Sequence, residues 1–271
     1  MNVAFDHLVH LTERPEQAKT AFEQWGFTAI HGGRHPSWGT YNALCYFEHL
    51  RYIEWIGIAD EQTAKTCGNP LIAQLVADRQ EGNGFSQFAF RTNNIGAVAA
   101  HLKRNWFTPI GPLPGSRERD DGKRLTWSML FIEDDTDGAF RYPFFIQWGD
   151  GDDVRMNELA PLMHHQIGAS SLSSIGVYTL DLRRAIDAYR RLFGLPVPRF
   201  GRDEAGAYAE LAVGGIALRF YEADHRPSTR PFCAGLWVYR SSAALKSMAR
   251  RISFPGRDGH SYSHILPFAA E

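Results

Sequence analysis

The sequence predicts an α+β fold of repeated strand–helix–three-strand (βαβββ) modules. The first sign is a motif stated twice about eighty residues apart. Phe5-Asp6-His7-Leu8-Val9-His10-Leu11 leads into an amphipathic helix and ends at Arg51-Tyr52-Ile53-Glu54-Trp55. Phe85-Ser86-Gln87-Phe88-Ala89-Phe90 leads into a second helix and ends at Phe144-Phe145-Ile146-Gln147-Trp148. Ile-Glu-Trp against Ile-Gln-Trp aligns His7 with Gln87 and Glu54 with Gln147. The second sign is a fainter third copy from Ser174, followed by the start of a fourth at Gly235.

Each element follows from local chemistry. Residues 4–12 alternate with the period of a half-buried strand, which puts Phe5, His7, Val9 and Leu11 on one face. Asp6, Leu8, His10 and Thr12 take the other, and His10 there is structural. Pro15 suits the first turn of a helix and Glu16 its positive end; Ala18, Ala21, Phe22 and Trp25 form the apolar stripe, and Gly26 ends it. Phe27–Ile30 reads as strand, then Gly32 to Gly39 as a Gly/Pro-rich stretch. Tyr41–Phe47 and Tyr52–Ile58 read as a hairpin. One helix is expected between Ala59 and Gly84. In module two, Asn93 or Asn94 caps a helix with Ile95, Val98 and Leu102 inward. Pro112 to Lys123 reads as a polar loop, so that Arg117, Arg119 and Arg124 form a solvated face; Leu125–Ile132 and Pro143–Trp148 complete the copy.

Asp150 to Gly168 changes composition and is the expected boundary, with His164-His165 as a linker feature. Domain one is therefore expected over 1–155 (module one 4–58, module two 85–150) and a degenerate second over 165–271. In the latter, Asp181 caps a helix presenting Leu182, Ala185, Ile186, Tyr189 and Phe193. Ser174 takes the slot of His7 and Arg219 that of Glu54. The fourth copy places Leu245, Met248 and Ile252 on a helix face, and the tail holds His260 and His264.

The bulk properties exclude several classes. The chain has 271 residues, 44% hydrophobic and 22% charged, as in an ordinary globular protein. A net charge of −1 gives no reason to expect nucleic acid or an anionic membrane as partner. No run of about 18 apolar residues suggests a span, and Asp6 and His7 stand where a signal peptide needs a basic start and an apolar stretch. Three isolated cysteines, Cys45, Cys67 and Cys233, fit reduced thiols and a cytoplasmic location.

Asp6-His7-Leu8, Gly32-Gly33-Arg34-His35-Pro36, Gly39-Thr40, Asn42-Ala43-Leu44 and Tyr52-Ile53-Glu54 resemble the glyoxalase-like domain family of the vicinal oxygen chelate superfamily. Gly115-Ser116-Arg117, Asp121-Gly122 and Trp127 look like its second module. The resemblance covers about residues 4–150 closely and 165–225 loosely. It implies modules that curl into half-barrels, pair around a cleft, and contribute metal ligands from first and last strands.

Carried onto this chain, the resemblance makes His7, Glu54, Gln87 and Gln147 the expected metal ligands. One imidazole, one carboxylate and two amide oxygens form a weaker cage than two imidazoles and two carboxylates, suited to one divalent ion (zinc, nickel or manganese) and no organic cofactor. A non-haem iron oxygenase needs a second imidazole, so that class is disfavoured. Glu54 is the expected ligand or shuttling base, and His35, stiffened by Pro36, a catalytic residue at the cleft mouth. Arg34, Arg91 and Asn42 are expected to bind the ligand, the guanidinium forks matching a carboxylate. The expected function is a glyoxalase-like lyase or isomerase acting on a small oxygenated metabolite. The alternatives are a metal-free protein that sequesters a small molecule and a purely structural remnant. A homodimer is the expected protein partner.

Overall fold

A computed structural model describes residues 1–118, 122–223, 229–239 and 250–253. Module one comprises β1 (Ala4–Leu11), α1 (Pro15–Gln24), β2 (Ile30–His35), β3 (Thr40–Phe47) and β4 (Arg51–Ile58). Two helices, α2 (Glu61–Thr66) and α3 (Pro70–Asp78), follow where one was expected, each with an Asp or Asn cap at Asp60 or Asn69. Module two is β5 (Gly84–Arg91), α4 (Ile95–Arg104), β6 (Pro109–Glu118), β7 (Arg124–Ile132) and β8 (Phe144–Trp148). The third is β9 (Ala169–Thr179), α6 (Leu182–Phe193), β10 (Arg199–Asp203), β11 (Gly206–Val213) and β12 (Ile216–Glu222); between it and module two lies α5 (Asp152–Leu159). The caps are as expected: Asn94 Oδ1 accepts from Ala97 N and Asp181 Oδ1 from Arg184 N.

The first two modules form one eight-stranded sheet, ordered β2-β3-β4-β1-β5-β8-β7-β6. Within each module the first strand runs parallel to the last, and β1 pairs antiparallel with β5 at the centre. The sheet curls until its edge strands meet: Arg117 on β6 donates from Nη1 to the Gly32 carbonyl on β2. Arg117 therefore lies in a strand, β6, which takes up residues 112–118 where a loop was expected; Arg119 lies outside the described residues.

Two β-bulges shape the centre. The register steps from Phe5↔Phe90 to His7↔Ala89 and from Val9↔Gln87 to His10↔Phe85, leaving Asp6 and Ser86 as the extra residues. Phe5 consequently joins Leu8, Phe88 and Phe90 in the helix-covered core, while Val9 and Leu11 pack inside the curl with Ile56, Ala89 and Phe144. His7 goes with the second group, stacking on Tyr52 and meeting the edge of Phe144. Strict alternation, which put Phe5 beside His7, fails at the bulge.

The backbone also corrects the alignment of the two copies. Thr12 N donates to Ile56 O in module one and Thr92 N to Ile146 O in module two. Val9 pairs with Glu54 as Ala89 pairs with Phe144. Glu54 thus corresponds to Phe144, and Gln147 to Gly57; the matched Ile-Glu-Trp and Ile-Gln-Trp strings are three residues out of register. In module three Gly176 pairs with Arg219, so Arg219 does occupy the slot of Glu54.

A six-stranded sheet, β10-β11-β12-β9-β13-β14, contains module three, β13 (Pro231–Tyr239) and β14 (Arg250–Ser253). β13 pairs antiparallel with β9, again with two register shifts, as β5 does with β1. Ile252 lies in β14 rather than on a helix; Leu245, Met248, His260 and His264 lie outside the described residues. The expected linker contains α5 and a 3₁₀ turn, Ala160–Met163, and packs Leu159, Leu162 and Met163 against Tyr46 and Tyr52. His165 Nδ1 accepts from Thr28 N.

One apolar cluster runs from α1 and α4 through to α6, with Phe90 and Phe193 centroids 4.9 Å apart. Polar clamps cross the same junction. Phe5 N donates to Gly214 O at 2.9 Å. Buried Arg51 donates to Leu172 O at 2.6 Å and Gly215 O at 2.9 Å. Replacing Arg51 with methionine keeps most of the packing but strips two carbonyls of a charged donor. A loss of about 2 kcal/mol is expected, read as a lower urea midpoint at unchanged m; an unaltered midpoint would show that the clamp contributes nothing.

Candidate active site

A chain of buried polar groups runs through the largely apolar interior of the curl. Asp6, on the bulge, is fully buried and accepts His7 Nδ1–H at 2.7 Å. That bond fixes the imidazole and leaves Nε2 facing Glu54 Oε2 at 3.7 Å, within ion-pair range but beyond a hydrogen bond. Glu54 Oε1 accepts from Asn42 Nδ2 at 2.5 Å. The neighbouring strands make this possible: β1 is parallel to β4, β4 pairs with β3, and Leu44 sits opposite Glu54 with Asn42 one inward position away. His7, Asn42 and Glu54 are each at most 8% exposed.

Asp6 is held by more than His7. Trp148 Nε1 donates to its Oδ2 at 3.2 Å, and Arg155 Nη1 of α5 lies 3.6 Å from the same atom, with its guanidinium 4.3 Å from the Trp148 ring centre. Burial alone raises the Asp6 pKa; the His7 hydrogen bond and the charges of Arg155, His7 and Arg91 outweigh it and hold the group below its ordinary value. The same burial, with Asp6 and Glu54 nearby, pushes the Tyr52 phenol well up, so it stays neutral.

His35 lies at the end of β2, its Nδ1 3.1 Å from Thr40 Oγ1, between Trp38 and Trp127. Burial lowers its pKa to about 4; Arg117 adds to the effect and Glu54 opposes it. Gly32 and Gly33 bring β2 close. A Cβ on Gly32 would stand 2.1 Å from Asn42 Oδ1, and Gly33 has φ +133°. Asn42 Oδ1 is itself buried and has no hydrogen-bond partner among the described residues.

The structure brings His7, Glu54, Asn42 and His35 into one region and leaves the other expected residues elsewhere. Gln87 donates to Tyr142 O and accepts from Phe88 N; Gln147 Oε1 accepts from Ile95 N at the start of α4. Neither amide reaches His7 or Glu54, and the residue opposite them is the ring of Phe144. Arg91 is a structural clamp, its guanidinium spent on Asp152, Phe5 O and His49 O. Arg34 lines the outer cavity, 5.9 Å from the Tyr41 ring centre.

Sequence reasoning passed over Asp6, Arg155, Tyr52 and Phe144 and set Arg117 on a solvated loop face, whereas it is a buried strand residue. Asp6 was the most accessible of these, since an acid beside an imidazole is the usual partner that orients it. Among the described residues, no three His, Cys, Asp or Glu side chains gather as metal ligands.

The family model for the glyoxalase-like domain matches residues 5–193. No protein of curated function matches the chain. A hypothetical protein from Staphylococcus aureus superposes with TM-score 0.75 at 22% identity, over 91% of this chain and 94% of that one. Methylmalonyl-CoA epimerase from Mycobacterium tuberculosis superposes with TM-score 0.39 at 14% identity, over 56% of this chain and 91% of its own. The first likeness establishes the fold over nearly the whole length; the second carries no functional argument.

Acid should loosen the structure through its buried imidazoles. His35 and His10 both titrate at about 4 in the fold, burial being the main cause, against an ordinary 6.5. The unfolded chain therefore takes up protons first as pH falls. Their contribution, on the order of 3 kcal/mol each, is present above pH 6.5 and lost between 6.5 and 4. Urea midpoints measured across that window should fall less steeply for His35→Gln than for wild type, and parallel slopes would contradict the assignment.

Proposed function

Because the chain belongs to the glyoxalase-like domain family of the vicinal oxygen chelate superfamily, we propose that its curled sheet holds a small oxygenated metabolite and that Glu54 moves a proton on it in a lyase or isomerase reaction. The observation that carries this reading is the buried chain Asp6–His7–Glu54–Asn42. A carboxylate shielded from water is a stronger base toward carbon than a solvated one, and its two oxygens here have different surroundings. Oε1 is held by the Asn42 amide; Oε2 is the oxygen that takes a proton from a carbon next to a carbonyl. His7, oriented by Asp6, stands where it stabilises Glu54 as a carboxylate or passes the proton on. His35 is neutral above about pH 4 and offers a hydrogen bond without a charge. Asn42 Oδ1, without a partner of its own, accepts from a substrate hydroxyl.

The family makes a divalent ion the natural expectation, and the donor set does not fit one. His7 Nε2 and a Glu54 oxygen are two donors; Gln87 and Gln147 are bonded elsewhere, and Phe144 fills the slot that would add a third. A catalytic zinc site takes three protein ligands. No step is therefore routed through a metal.

Protein purified without a histidine tag and dialysed is expected to retain well under one equivalent of zinc, nickel or manganese by elemental analysis. A full equivalent that disappears in His7→Ala would overturn the metal-free reading. Proton transfer is tested by solvent-deuterium exchange, followed by NMR, across a panel of 2-oxo and 2-hydroxy carbonyl compounds. At least one compound should exchange, and Glu54→Gln should slow it by about 10²–10⁴-fold. Tryptophan quenching by the same compounds with no exchange would instead favour a sequestering protein.

A further inference from the structure

The seam between β2 and β6 has a cavity on each side. The larger, about 1080 Å³, is polar, with Asn42, Arg34, Ser116 and Arg124 in its wall. The smaller, about 430 Å³, is walled mainly by Ile30, Tyr46, Leu125, Leu159 and Leu162. Arg117 lines both. It is nine-tenths buried, and among the described residues its hydrogen bond is the one to Gly32 O. Among the described residues no carboxylate comes within ion-pair distance of it. A guanidinium carries five N–H donors in a fixed fork, and a desolvated cation without an anion is costly. Arg117 thus presents most of a planar fork to the junction of a polar cavity and an apolar one.

The same arginine is close to the chemistry. Arg117 and Glu54 both act electrostatically on His35 and on Tyr46, so the two charges flank the same pair of side chains. In the outer cavity Glu16 and Glu118 offset Arg34 and Arg124, which leaves the single positive charge of Arg117. A single fork matches a carboxylate best.

Resting on the proton-transfer reading above, we propose that the ligand is an amphipathic carboxylate. Its carboxylate lies on Arg117, its apolar tail in the cavity between Tyr46, Leu159 and Leu162, and its oxygenated carbon toward Asn42 and Glu54. Arg117 sets the head group and the smaller cavity sets the tail, so the two selectivities are separable by mutation.

Three simple probes test this by quenching of the interior tryptophans: octanoate, octan-1-ol (tail without charge) and acetate (charge without tail). Octanoate should bind at least tenfold more tightly than either of the others. Arg117→Met should bring octanoate down to the level of octan-1-ol, and Arg117→Lys should restore part of the difference. Leu162→Gln should bring octanoate down to the level of acetate, which keeps the test intact if the arginine variants do not fold by circular dichroism. Equal binding of octanoate and octan-1-ol by the wild type, or an undiminished preference in Arg117→Met, overturns the proposal. Glu54→Gln separates it from the proton-transfer reading. Octanoate selectivity without deuterium exchange sinks only that earlier reading, and exchange without octanoate selectivity sinks only this one.

Discussion

The interior of this protein depends on a residue that the strands do not pair. Where β1 meets β5, Asp6 and Ser86 bulge out of the ladder, one on each side of the local two-fold relation between modules. A bulge bends its strand and resets which face the next side chain takes. Phe5 therefore anchors the helix-covered core, and only two residues later His7 points into the curl. Asp6 itself turns inward and reaches both the imidazole of His7 and the indole of Trp148.

That placement explains why charge survives at such depth. Two carboxylates, Asp6 and Glu54, and two guanidinium groups, Arg117 and Arg155, are nearly excluded from water. Buried ions persist only when hydrogen bonds replace their hydration. Asp6 has His7, Trp148 and Arg155; Glu54 has Asn42 and the approach of His7. Arg155 spreads its planar cation over Trp148. Arg117 is the least compensated of the four, and it sits where the sheet closes on itself.

The chain uses one module three times and gives the corresponding positions different chemistry. The slot of His7 holds Gln87 and then Ser174; the slot of Glu54 holds Phe144 and then Arg219. In module two the result is an aromatic wall against His7. In module three Arg219 pairs with Glu210 and Asp203 and covers Tyr208, a set of contacts complete in itself. The six-stranded sheet thus braces the eight-stranded one through α6 and the Arg51 clamp, and the buried His7–Glu54 pair is confined to module one.

The sequence by itself determined the modules, their order and the caps, because these rest on periodicity and on side chains that act on nearby backbone: Asn94 and Asp181 cap the starts of their helices and Pro15 fits the first turn of its own. It also singled out His7, Glu54, Asn42 and His35, four residues that the fold gathers in one region. Register was different. Matching Ile-Glu-Trp to Ile-Gln-Trp paired Glu54 with Gln147, yet the ladder pairs it with Phe144, since hydrogen bonds between strands follow backbone geometry and tolerate any side chain. Arg91 and Arg117 show the same limit. Nothing local distinguishes an arginine that clamps three partners from one that lines a cavity; that is set by which strands the closed sheet brings together, a long-range choice made only in three dimensions.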